Sequence, residues 1–289
     1  MNLTGKRIIV TGVASGIGQQ SAKILQDRGA IIVGFDRNEP QAYVDEYIHV
    51  ELTDRTSINN AVDNFSGNAD TLCNIAGVPP TAPAVTVVTV NFIGLRHFTE
   101  RIIGRINDGG SIVNMASLAG VGWPQAVADI SRFIETADFE NAEALCEEMN
   151  IGQPRSYFFS KEVLIVWTMQ NWNTWRDRGI RVNAVSPGPV STPILGDFLE
   201  TLGPRAEEDM RVMGRAGKPE KIAPIVAFLC SDESSWLNGA NIFVALEPIV
   251  WREVVEPELE NLFNSGWVFH RSGGSDHPNS TMLLRIVVF

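Results

Sequence analysis

Short apolar runs rich in β-branched residues alternate along the chain with longer amphipathic stretches. The strand-like runs fall at 7–10, 31–35, 72–74, 111–115, 181–185 and 241–244, and the helix-like stretches at 19–28, 57–65, 85–106, 157–178 and 218–231. Runs of continuous Ile and Val are buried on both faces, which a parallel sheet covered by helices on each side requires. The alternation predicts an α/β fold with a doubly wound, Rossmann-type parallel sheet. Clusters of Pro and Gly at 79–80, 108–110 and 187–189 stand singly at strand–helix junctions and form no linker. One domain is therefore expected over 1–244.

Directly after the first run comes Thr11-Gly12-Val13-Ala14-Ser15-Gly16-Ile17-Gly18, followed by a helix with Ala22 and Leu25 on its apolar face. Glycines at 12, 16 and 18 let the backbone turn tightly, bring a helix N-terminus to a pyrophosphate and let the helix pack on the strand. Asp36 ends the second run, 18 residues beyond Gly18. A carboxylate there accepts hydrogen bonds from an adenosine ribose and repels a 2′-phosphate, so NAD is expected over NADP. The adjacent Arg37 is the one cation that argues the other way.

Tyr157 and Lys161 stand at i and i+4, on one face of a helix. A lysine ammonium one turn away, with a positive nicotinamide ring, would favour the phenolate and lower a tyrosine pKa from its ordinary value near 10. Tyr157 would then take a hydroxyl proton as hydride leaves the carbinol carbon. Ser117, just past the 111–115 run, offers a hydroxyl beyond the carboxyl end of a strand, where open α/β sheets bind ligands.

These motifs, in this order, resemble the short-chain dehydrogenase/reductase family. Asn74-Ile75-Ala76-Gly77 is similar to the family's NNAG with its second Asn replaced, and Val90-Asn91 to its helix Asn. Arg181-Val182-Asn183 with Ser186-Pro187-Gly188-Pro189-Val190-Ser191-Thr192-Pro193 is similar to the strand and PG loop beside the nicotinamide. The resemblance covers about residues 5 to 244. It implies a catalytic set of Asn91, Ser117, Tyr157 and Lys161, in which Asn91 supports a proton relay. It also implies cofactor contacts at Gly12, Ser15, Gly16, Ile17, Gly18, Asp36, Leu52, Asn74, Ala76, Gly77, Tyr157, Lys161, Pro187, Gly188, Val190 and Thr192. The implied activity is interconversion of an alcohol and a carbonyl compound by a homo-oligomer, a dimer or tetramer. A cofactor-binding sensor or scaffold without turnover is the alternative.

Two features depart from the family pattern. Ser117 and Tyr157 lie 40 residues apart, which places an insertion at 127–152 beside the catalytic pocket. Its apolar Phe133, Leu145 and Met149 among six acidic residues read as helical, either packed on the body or serving as a substrate lid. A similar insertion marks the subgroup that includes bacterial coniferyl-alcohol and 3α-hydroxysteroid dehydrogenases, which implies a bulky aromatic or alicyclic alcohol. Trp123 and the 194–213 segment are the substrate-side candidates. Second, residues 245–289 continue past the expected end with no helix/strand alternation. An oligomer-forming arm, a regulatory appendage or a frame-shifted segment would each account for them, and the abrupt break favours the last.

Composition narrows the partners. The 289 residues carry 34 acidic and 23 basic side chains, a formal net charge of −11, with no basic stripe, which disfavours nucleic acid and anionic membrane surfaces. Cys73, Cys146 and Cys230 are scattered and odd in number, which argues against a disulfide framework or a structural metal site and points to a reducing compartment. No apolar run reaches the roughly 18 residues of a membrane span. A soluble, cytoplasmic protein acting on a small molecule is expected.

Overall fold

The Ile and Val runs pair side by side as parallel strands: β1 (Arg7–Thr11), β2 (Ile31–Asp36), β3 (Glu46–His49), β4 (Ala69–Asn74), β5 (Ile106–Met115), β6 (Arg181–Pro187) and β7 (Asn241–Val244). Their order across the sheet is β3-β2-β1-β4-β5-β6-β7. The computed structural model describes residues 1–202, 211 and 214–245. The expectations for 246–289, and for 203–210, 212 and 213 of the substrate-side segment, lie outside the described residues.

Alternate residues of each strand feed opposite layers, as the pleat demands. Ile8, Val10, Cys73, Val113 and Val185 pack under α1 (Gly16–Gln26) through Ala22 and Leu25. Ile9, Val33, Leu72, Ile112 and Val182 pack under α2 (Arg55–Asn64) through Ile58 and Ala61. Both faces of the sheet are dry, which explains why the strands read as continuous apolar runs. β3 is the exception: its half-buried edge residues carry no apolar run, so nothing in the sequence pattern announced it.

The stretch expected as one helix over 85–106 is broken. It runs as α3 (Ala84–Val88), a π-helical segment (Thr89–Gly94) and α4 (Leu95–Ile102), and Ile106 already belongs to β5. The wide turn coincides with two fixed contacts. The Asn91 side chain engages both polar groups of the Val78 main chain, and Gly94 lies so close to Leu52 that a Cβ would sit 2.1 Å from its carbonyl oxygen.

The insertion forms α5 (Val127–Thr136) and α6 (Ala142–Glu148). Ile130, Phe133, Leu145 and Cys146 join one apolar cluster with Phe159, Val163 and Trp167 of α7 (Arg155–Gln170). The insertion therefore packs on the body, and none of its residues lines the cleft described below. It also explains why α7 is apolar around most of its circumference: a helix buried on all sides has no need of a polar face. Trp123, a substrate-side candidate, packs on this same cluster. The remaining described helices are α8 (Leu195–Leu202), in the substrate-side segment, and α9 (Pro219–Leu229), which packs beside α1.

Candidate active site

Strand order reverses on either side of β1, between β2 and β4, and the carboxyl ends of β1, β2 and β4 are in register at Thr11, Phe35 and Asn74. Such a switch point leaves a crevice that binds ligands. Here it opens into a cleft of about 340 Å³ that runs from Asp36 and Arg37 at one end to Tyr157 and Phe198 at the other.

At the Asp36 end the main chain does the work. Gly12 (φ +71°) and Gly16 (φ +56°) adopt left-handed conformations that side chains disfavour. Gly18 lies on Gly12 so closely that a Cβ would stand 1.9 Å from its carbonyl oxygen. The Ser15 hydroxyl makes no capping bond to α1 and no acidic residue occupies its first turn, so the N-terminal amides face the cleft without a side-chain anion. Such an end suits a pyrophosphate. Asp36 is held at the rim, accepting from the Ala14 and Asn38 main-chain N–H groups at 2.9 Å each. The residues present fit an adenine dinucleotide.

The Thr11 hydroxyl, which opens the glycine motif but was assigned no role from it, accepts from the Ile75 and Ala76 N–H groups at 3.0 and 3.1 Å. It thereby sets the Ala76-Gly77 turn against Gly12. Asn74 was expected among the cofactor contacts, but its side chain is buried away from the cleft, donating to Thr99 Oγ1 and Asn114 Oδ1 at 2.9 Å. The other expected contacts, Ser15, Gly16, Ile17, Leu52, Pro187, Gly188, Val190 and Thr192, all line the cleft.

At the far end, Ser117 leaves β5 and its Oγ accepts from the Ala119 N–H at 3.1 Å while sharing a hydrogen bond with the Tyr157 hydroxyl. Lys161 Nζ lies 5.7 Å from the centre of the Tyr157 ring and donates to the Met115 carbonyl at 2.8 Å. Three of the four expected catalytic side chains therefore meet in one place. The fourth, Asn91, is fully buried and does not line the cleft. Its amide braces the Val78 loop and reaches Ser160 Oγ at 3.4 Å.

The expectation of a lowered tyrosine rests on the lysine and a bound nicotinamide acting together, and the protein's own groups set the starting point from which they act. Burial pushes Tyr157 up to about 12, against a smaller lowering by the Ser117 hydrogen bond. Burial also pulls Lys161 down to about 8. Desolvation of the charged form is the first cause of both shifts.

A folded pKa below the unfolded one makes Lys161 a burden on stability below pH 8, relieved as pH rises toward 10.5. Tyr157 acts in the opposite sense only above pH 10. Lys161→Met should therefore be more stable than wild type at pH 7, by up to about 3 kcal/mol, and the gap should shrink between pH 8 and 10. Urea unfolding of both proteins at the two pH values reads it, and a gap independent of pH would contradict the assignment.

An adenine-dinucleotide cleft ending in a half-buried Ser117 with a buried Tyr157 and Lys161 defines a nicotinamide-dependent oxidoreductase. The family model described as short chain dehydrogenase matches residues 6–128, and that described as enoyl-(acyl carrier protein) reductase matches 140–245. The chain is 38% identical to the coniferyl-alcohol dehydrogenase of a Pseudomonas species, over 84% of its own length and 96% of the relative's. It is 27% identical to the 3-alpha-hydroxysteroid dehydrogenase/carbonyl reductase of Comamonas testosteroni, over 82% and 94%. Among solved structures, the 3-alpha-hydroxysteroid dehydrogenase of a Pseudomonas species complexed with NADH superposes with a TM-score of 0.72 at 28% identity, covering 86% of this chain and 99% of that one. The chain belongs to the short-chain dehydrogenase/reductase family.

Proposed function

We propose that this protein is an NAD-dependent dehydrogenase that interconverts an aromatic primary or a secondary alcohol and its aldehyde or ketone. The observation that carries the reading is the convergence of Ser117, Tyr157 and Lys161 at the end of the cleft opposite Asp36. When bound, the nicotinamide supplies or accepts hydride at its C4. The Ser117 hydroxyl, already paired with Tyr157, positions the substrate oxygen. Tyr157, with its pKa near 12, holds its proton at neutral pH and is set to give it to a carbonyl oxygen as that oxygen gains charge. In the oxidising direction the same oxygen would act as the phenolate, its own proton having first left to solvent, and take the hydroxyl proton, with the Lys161 ammonium supplying nearby positive charge that favours that phenolate. Asn91 serves by bracing the Val78 loop beside this cluster.

Likeness to an enzyme named for coniferyl alcohol supports an aromatic alcohol, and apolar Leu118, Phe158 and Phe198 beside Tyr157 suit one. A panel of aryl and alicyclic alcohols, followed at the NADH absorbance band, tests the reading with wild type and Tyr157→Phe. Tyr157-dependent turnover of at least one aromatic alcohol is expected. Protein that binds NADH yet turns over none of them would instead be a sensor or scaffold.

The preference for NAD rests on Asp36, whose carboxylate would meet the ribose hydroxyls and repel a 2′-phosphate. Asp36→Asn keeps an acceptor for one of the two main-chain N–H groups but removes the charge. A hydrogen bond to a charged group contributes about 1.5–3 kcal/mol, so the ratio of NADPH to NADH dissociation constants should fall by about 10- to 100-fold. An unchanged ratio in fluorescence titrations would reverse the assignment.

A further inference from the structure

Phe198, on α8, packs its ring against Tyr157 with centroids 4.8 Å apart and planes at 74°, an edge-to-face pair. Such a pair leaves the remaining ring faces and edges of both partners to a third flat group, because aromatic quadrupoles favour offset and edge contacts. The walls around it are Leu118, Phe158, Ile194 and Leu199. Among the described lining residues of this half, Lys161 is the sole charged one, and Asp36, Arg37 and Glu51 lie at the other end. Apart from Lys161, no described lining residue of this half carries a charge that would bind a charged group on the substrate.

The neighbour of Phe198 faces the other way. The Thr81 hydroxyl donates to Asp197 Oδ1 at 2.9 Å, across 116 residues of sequence. The Thr81 and Ala82 carbonyls in turn accept from the side-chain amide of Gln153, between the insertion and α7. The position of Phe198 is thus tied, through Asp197 and the 79–83 loop, to the segment that enters the catalytic helix.

We propose that Phe198 is a specificity-determining residue that selects uncharged carbinols attached to a flat ring or conjugated system, and that the Thr81–Asp197 hydrogen bond positions it. The inference rests on the dehydrogenase reading and adds which side chain makes the choice. A ring or conjugated chain on the carbinol carbon stacks beside Phe198 while the oxygen meets Ser117 and Tyr157. A saturated chain of the same size fills the same apolar space without the ring contact.

The test compares kcat/KM for cinnamyl alcohol and for a straight-chain saturated primary alcohol of equal carbon number, in wild type, Phe198→Leu, Phe198→Ala, Asp197→Ala, Thr81→Val and the Asp197/Thr81 double variant. NADH binding by fluorescence reports on folding and on the cofactor end independently. Phe198→Leu keeps apolar bulk, so the aryl-to-saturated ratio should fall by about 10-fold, carried mainly by KM for the aryl alcohol. Phe198→Ala should lower the ratio at least as far. Asp197→Ala and Thr81→Val should each lower it severalfold, and the double variant no further than either, as expected for one shared contact. Equal losses on both alcohols, or an unchanged ratio, would overturn the selectivity role even with full wild-type activity. Additive effects at 81 and 197 would overturn the positioning role. Wild type that binds NADH but oxidises neither alcohol would overturn the dehydrogenase reading itself, a distinct result.

Discussion

Tyr157→Phe is expected to lower kcat by about 10²- to 10⁴-fold, the usual contribution of a positioned acid or base, equivalent to about 3–5 kcal/mol of barrier. The substitution removes one oxygen and nothing else from the cleft. That oxygen belongs to the phenol of the cluster, a far stronger acid than the aliphatic Ser117 hydroxyl, while the Lys161 ammonium has donors but no acceptor and gives one of them to the Met115 carbonyl. Loss of the buried hydroxyl, whose partner is Ser117, should change stability by only about 1 kcal/mol in either direction. NADH affinity should fall far less than turnover, because the residues that would meet the pyrophosphate and the adenosine ribose lie at the opposite end of the cleft. The variant should therefore fold and bind cofactor while failing to turn over. Steady-state rates on an accepted alcohol, with NADH titration alongside, distinguish this from collapse of the site. Turnover within a factor of a few of wild type would remove Tyr157 from the chemistry.

The second large effect is expected from a single methyl group. Gly18→Ala places a Cβ 1.9 Å from the Gly12 carbonyl oxygen and 2.6 Å from its carbon, and neither atom belongs to a side chain that can rotate away. Helix α1 must lift from the β1 turn. Overpacking of a fixed core costs about 1–3 kcal/mol, and a clash between two backbones belongs at the upper end. For a protein of this size that corresponds to a fall in Tm of roughly 5–10 °C. The same shift carries the amides of the first turn away from the pyrophosphate position, so NADH affinity should fall by at least about 10-fold. Gly104 provides the contrast: a Cβ there meets nothing within 4 Å, and its φ is not positive. Gly104→Ala should stay within about 0.5 kcal/mol of wild type. If thermal melts and NADH titrations of Gly18→Ala matched those of Gly104→Ala, the close approach would have no energetic consequence.

Side-chain partnerships divide the expected catalytic set in a way that residue identities do not show. Asn74 and Asn91 both match motif positions, yet neither side chain reaches the cleft. Asn74 belongs to a buried polar ladder that continues from Asn114 to Thr168 of α7. Asn91 secures the loop that carries Val78. Their removal would act through the placement of neighbours, while removal of Ser117, Tyr157 or Lys161 would act on reacting groups directly.

The sequence alone determined the alternation of strands and helices, the glycine turn at 12–18 with Asp36, and the Tyr157/Lys161 pair. Each is written in local spacing, and local spacing sets backbone geometry. It also located the insertion and its helical character, but offered packing on the body and a lid as equals. Only tertiary structure decided between them, because the apolar faces of α5 and α6 could be assigned a partner only once α3 and α7 were in place. The same holds for β3, whose half-buried edge carries no apolar run. It holds also for the direction of the Tyr157 shift, which depends on burial. Phe198 lies in the substrate-side segment, but its contact with Tyr157 lay beyond reach for a further reason: 40 positions intervene between them, and its neighbour Asp197 is fastened to Thr81 from 116 residues away. Periodicity and motif spacing report on neighbours along the chain. Desolvation and side-chain contact are set by neighbours in space, and those exist only after the sheet has formed.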